Sequence, residues 1–156
     1  MVRAGAHAAW AVPAISIATA APALAVSGQA TLQGSAFKVQ CMPKQKRVHV
    51  LVGPIKNTGS SSTGGPVTTV VSAPAGSGTT MAQPYDKGVQ NNWTYAGKSG
   101  DSYTFVSRTG ALKPNQSTGA LGFMLSIPTQ SCPTGAYTYV ASSPNASATS
   151  GSTTSS

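Results

Sequence analysis

Few side chains here could carry acid–base or nucleophilic chemistry. The 156 residues hold two acidic side chains, Asp86 and Asp101, no glutamate, and two histidines, His7 and His49. A paired-carboxylate site would have to join Asp86, beside Lys87, to Asp101, after Ser99-Gly100. Both stand in loop-like sequence where Asp serves turns, so both read as turn residues. A Ser–His–Asp arrangement would need His49, which lies between Val48 and Val50 in a β-like run, without a Gly-x-Ser-x-Gly elbow. The Gly-containing stretch Ser72-Ala73-Pro74-Ala75-Gly76-Ser77-Gly78 lacks the Lys-Ser/Thr ending of a phosphate-cradling loop. The expectation is a non-enzymatic protein with no catalytic residue, no metal and no cofactor.

Charge is the stronger signal. Ten Lys and Arg against two acids give a formal net charge of +8, which attracts polyanions and says little about fold. The densest group is Lys44-Gln45-Lys46-Arg47, with Lys38 and Lys56 nearby. These five are the candidate binding residues, for an anionic or carbohydrate polymer. The competing reading is a charged hairpin turn that discourages edge-to-edge pairing. Trp93, Tyr95, Tyr103 and Phe105 fit a sugar-stacking platform or, more simply, a sandwich core.

The elements that must position these groups follow from composition. Residues 1–25 run from Arg3 through Ala8-Ala9-Trp10-Ala11-Val12 and Ile15-Ser16-Ile17-Ala18 to Ala23-Leu24-Ala25. That is the order of a cleaved export signal. Pro13 and Pro22 break the apolar stretch, and no later segment has the length or apolarity of a membrane span. In an oxidising compartment Cys41 and Cys132 read as one disulfide, with two free thiols or a metal pair as the alternatives.

Residues 26–142 are rich in Gly, Ser, Thr, Pro and Val, with no helical periodicity. Strand-like runs fall at 37–41, 47–52, 67–71, 92–96, 102–106, 120–127 and 136–140, separated by turn chemistry. Lys113-Pro114-Asn115-Gln116 places Pro second and Asn third, as a tight turn requires. Residues 73–89 read as a surface loop holding at most one edge strand. Residues 143–156, Ser/Thr-rich without an aromatic, read as a disordered tail. About seven strands spaced by Gly, Pro and Asn predict an all-β, antiparallel β-sandwich.

Two resemblances add to this. Gly5-Ala6-His7-Ala8-Ala9-Trp10-Ala11-Val12-Pro13 with Ala20-Ala21-Pro22-Ala23-Leu24-Ala25 resembles the signal region of many exported actinobacterial proteins. There a similar run often follows a twin-arginine pair, whereas here Arg3 stands alone; the general secretory and twin-arginine routes are both open. Val48-His49-Val50-Leu51-Val52 with Lys56-Asn57-Thr58-Gly59 is similar to the start of an Ig-like repeat domain of bacterial surface proteins. Ala73-Pro74-Ala75-Gly76, Trp93-Thr94-Tyr95, Leu112-Lys113-Pro114-Asn115 and Gly135-Ala136-Tyr137-Thr138-Tyr139-Val140 extend the likeness over residues 47–143. The resemblance implies an Ig-like sandwich acting as a structural or adhesive module, with no shared catalytic residues. The protein is thus expected to be secreted or wall-associated, and to meet a cell-wall polymer or another surface protein. Intracellular nucleic acid is not an expected partner.

Overall fold

Val48, Val50 and Val52 alternate with Arg47, His49 and Leu51, and the backbone answers that period with a strand whose valines are fully buried. The computed structural model describes residues 28–82 and 91–156. Among them run β1 (Ala30–Gly34), β2 (Phe37–Met42), β3 (Arg47–Val52), β4 (Ile55–Asn57), β5 (Thr68–Ser72) and β6 (Thr80–Met81). There follow β7 (Trp93–Ser99), β8 (Ser102–Ser107), β9 (Leu121–Ser126), β10 (Ala136–Ser142), β11 (Ala146–Ser147) and β12 (Thr149–Thr154). All seven expected strands are present, with β1, β4, β6, β11 and β12 in addition. The export signal at 1–25 and Asp86 with Lys87 lie outside the described residues.

The strands form an all-β sandwich. One sheet has the order β12-β10-β5-β8-β7, another β2-β3-β9-β6, and a three-stranded sheet β11-β1-β4 completes the set. Neighbours pair antiparallel throughout except β1 with β11. Alternate residues from the two larger sheets meet in one core. Tyr103 and Phe105 of β8 pack against Phe123 of β9, with ring centroids 6.3 and 4.6 Å apart. Tyr137 and Tyr139 of β10 enter the same core, as do Leu121 and Leu125. No helix among the described residues is long and apolar enough to cross a membrane.

Two loops have specific fasteners. Asn115, third in its turn, takes φ 64°, and the Gln116 amide closes the turn onto the Lys113 carbonyl at 3.0 Å. Asn57 is fully buried with all its polar atoms engaged. Its Oδ1 accepts from the Thr31 and Gly59 amides, and its Nδ2 donates to the Ser61 and Leu112 carbonyls. Gly59 is required beside it, because a Cβ there would lie 2.6 Å from the Thr31 nitrogen and 2.8 Å from the Ala30 Cα.

The tail expectation is corrected. Residues 143–156 are not disordered: β12 pairs with β10 from Ala141↔Thr149 to Ala136↔Thr154. Beyond it, the Ser156 amide donates to the Val39 carbonyl at 3.2 Å and its carbonyl accepts from the Cys41 amide at 3.0 Å. Low apolar content denies the tail a packed core of its own, but the tail adds to a core that already exists. The ladder is made by backbone groups, which every non-proline residue carries.

Candidate functional site

The β2–β3 hairpin turns through a 3-10 segment, Pro43–Gln45, whose proline fixes its first turn. Lys46 closes it in the left-handed region at φ 52°, its amide donating to the Pro43 carbonyl at 3.0 Å. This geometry leaves Lys44 and Lys46 exposed at the tip. Arg47 opens β3 half-buried, its Nη1 3.9 Å from Met124 Sδ. Register then fixes which side chains share the outer face of this sheet. Met42 faces Arg47, Gln40 faces His49, and Lys38 faces Leu51. Four of the five candidate cations therefore belong to one hairpin. Lys56 does not: it lies on β4, opposite Gln33, in a different sheet.

A groove of about 530 Å³ runs beside the hairpin. Lys38, Gln40, His49 and Leu51 line it from β2 and β3, and Thr153 and Thr154 from the C-terminal strand. The sequence contained no signal for the last two residues, which sat in the stretch expected to be disordered. His49, read as a strand histidine, is indeed mid-strand, and it is half-buried on the groove side.

The disulfide holds the hairpin from the opposite direction. Cys41 of β2 is bonded to Cys132 in the β9–β10 connection, with Cα atoms 5.9 Å apart. Cys41 is thus tied covalently to one loop and through its amide to Ser156.

The remaining candidates are scattered. Asp101 sits at the β7–β8 hairpin, where Oδ2 accepts from the Gly76 amide at 2.8 Å and Oδ1 from the Ser77 hydroxyl at 3.4 Å. It fastens a turn at the β7–β8 hairpin of one large sheet, whereas His49 belongs to β3 of the other. Trp93, Tyr103 and Phe105 are core, Trp93 donating its indole N–H to the Gly119 carbonyl at 3.1 Å. Tyr95 packs on Phe105 with centroids 5.4 Å apart. No sugar-stacking platform forms from this set. Among the described residues no three His, Cys, Asp or Glu side chains gather as a metal site would require.

Two perturbed phenols lie inside. Burial pushes Tyr137 up to about 12, with Tyr103 adding to the rise. Its hydroxyl has no hydrogen-bond partner. Tyr103 is also raised by burial, opposed by its hydrogen bond to Thr79 and reinforced by the Asp101 charge. Both hydroxyls face protein interior, so their shifts report on stability.

The chain matches no protein-family model and no curated protein.

Proposed function

We propose that this protein is an exported, non-enzymatic structural or interaction module of Ig-like sandwich type, secreted or held at the cell wall. The observation that carries the reading is the Cys41–Cys132 cross-link inside a sandwich. Such a bond persists where the surroundings are oxidising, which is the compartment that the signal-like residues 1–25 would reach. Chemistry-bearing side chains support the same conclusion by their engagement in structure: Asp101 fastens a turn and the aromatic rings fill the core.

A second reading, attachment to an anionic cell-wall polymer, is favoured by one specific observation. Lys38, Lys44, Lys46 and Arg47 share a single hairpin whose partner strands carry no acid. The two readings are compatible, since a wall-bound module must grip something.

Mass spectrometry of the secreted protein, with and without reductant, tests the first reading. The expected species begins at Val26 and gains the mass of two hydrogens on reduction. A secreted species that begins at Met1, or that is unchanged by reductant, overturns it.

A further inference from the structure

The groove beside β2 has features that the hairpin tip lacks. Its charged member, Lys38, is joined by the Gln40 amide, the His49 imidazole and the Thr153 and Thr154 hydroxyls, around the apolar Leu51. One ionic head and several polar groups thus stand beside a hydrocarbon surface. Successive rows of the outer face, Lys38–Leu51, Gln40–His49 and Met42–Arg47, are two residues apart, or about 7 Å. That step is comparable to the separation of adjacent phosphates in an extended phosphodiester chain.

We propose that this groove binds a linear phosphodiester polymer along β2, with one phosphate at Lys38, its carbon segment against the facing Leu51, and a later phosphate beyond the groove at Arg47, two rows or about 14 Å along. The inference rests on the polyanion reading above and specifies its site and ligand. Charge complementarity supports the occupant. The single described carboxylate side chain, Asp101, belongs to the other large sheet and is engaged by Gly76 and Ser77. A neutral sugar polymer fits less well, because carbohydrate stacking needs an open aromatic face. The nearby Phe37 ring is instead packed edge-on against Tyr139, with centroids 5.0 Å apart and planes at 63°.

The C-terminal strand supplies the selectivity. Thr154 offers a hydroxyl donor that would orient a phosphate oxygen without adding charge, whereas the Thr153 hydroxyl donates to the Thr154 carbonyl at 3.3 Å. Ser156 fixes that strand's end to β2 through two backbone hydrogen bonds, so the two walls of the groove keep a set spacing.

The test is titration of the disulfide-intact protein into fluorescein-labelled poly(glycerol phosphate), with labelled polyglutamate as the carboxylate comparison, across a salt series. Lys38→Gln is expected to weaken poly(glycerol phosphate) binding several-fold and to lower the slope of log affinity against log salt by roughly 0.7, one phosphate contact on a single strand. Thr154→Val is expected to weaken binding severalfold with the slope unchanged, because a neutral hydrogen bond releases no counterion. Lys113→Gln, in the β8–β9 connection, is expected to bind as the parent does. Native Trp93 fluorescence establishes that each variant is folded. If Lys44→Gln with Lys46→Gln removes binding while Lys38→Gln and Thr154→Val do not, the groove is overturned and attachment at the tip stands. If the parent protein fails to bind either polymer at low salt, both the groove and the polyanion reading fall. Equal binding of polyglutamate and poly(glycerol phosphate) overturns the phosphodiester assignment.

Discussion

Asn57 offers the sharpest test of the fold argument, because a polar side chain at zero exposure must be matched at every polar atom. Replacing it with leucine keeps the approximate size and removes four hydrogen bonds, of 3.2, 3.0, 2.7 and 3.0 Å. The Leu112 carbonyl keeps a second partner in the Thr63 amide, so three backbone groups lose the partner that Asn57 gave them. At about 1 kcal/mol for each stranded group, with the Thr31, Gly59 and Ser61 sites all part-exposed to water, the loss is roughly 2–3 kcal/mol. Aspartate probes the polarity of the same site. Asn57→Asp puts an oxygen where Nδ2 now faces two carbonyls, so the folded protein favours the protonated acid and its pKa lies above the unfolded value of about 3.9. The sign follows: its penalty is smallest below about pH 4 and grows as pH rises through the folded pKa. Urea unfolding followed by Trp93 fluorescence and circular dichroism, at neutral and acid pH, measures both variants. A loss below about 1 kcal/mol for Asn57→Leu, within the range of one ordinary hydrogen bond, would refute the hub. So would an Asn57→Asp variant that is relatively worse in acid.

Other tests address the interior and the staple. Thr69 Oγ1 is buried without a partner, so Thr69→Val, which keeps the β-branched shape, is expected to raise stability by about 1 kcal/mol in chemical unfolding. Burial pushes Tyr137 up to about 12 in the fold against about 10 when unfolded, so its contribution to stability is constant below about pH 10 and declines between those values. Tyr137→Phe is expected to make that decline shallower, as read by unfolding at stepped alkaline pH; an unchanged decline would place its source elsewhere. The disulfide joins positions 91 apart, and replacing both cysteines with alanine is expected to cost on the order of 4–5 kcal/mol by chain entropy. Equal denaturation midpoints for parent and double variant would contradict that.

Strand positions were legible wherever one face had to be apolar. Residues 47–52 and 136–140 were read as strands, and β3 and β10 bury alternate side chains, Val48, Val50 and Val52 in one and Tyr137, Tyr139 and Ala141 in the other. The cysteine pair was legible too, because two cysteines admit one intramolecular bond. Asn57 was not: its neighbours Thr58 and Gly59 spell a turn, and the partners that make it a hub lie up to 55 positions away. Lys56 shows the same limit. It is near the cationic group in sequence, yet β4 carries it to another sheet. The groove was half legible, since Lys38 and His49 drew notice while Thr153 and Thr154 looked like solvated tail.

The composition that concealed β12 is also what suits its place. An outermost strand presents one row of amides and carbonyls to whatever approaches, and an apolar strand there invites pairing with other chains. Thr149–Thr154 has no apolar side chain, and its residues alternate between half-buried and exposed, with none fully buried. Its glycine is placed where close approach demands one: a Cβ on Gly151 would lie 2.6 Å from Tyr139 Cε1. What orders the strand is the ready-made edge of β10, whose inward residues Tyr137, Tyr139 and Ala141 already belong to the core. The entropy of fixing a polar segment is thus offset by a ladder on a rigid template, not by burial of its own side chains. The same strand ends against β2 at Cys41, where the disulfide also attaches. The cationic hairpin, itself part of one large sheet, is therefore tied to the β9–β10 connection by a covalent bond and to the end of the other large sheet's outer strand by backbone hydrogen bonds. A charged surface held that firmly can present its rows at a constant spacing, which is the property that a repeating anionic partner would use.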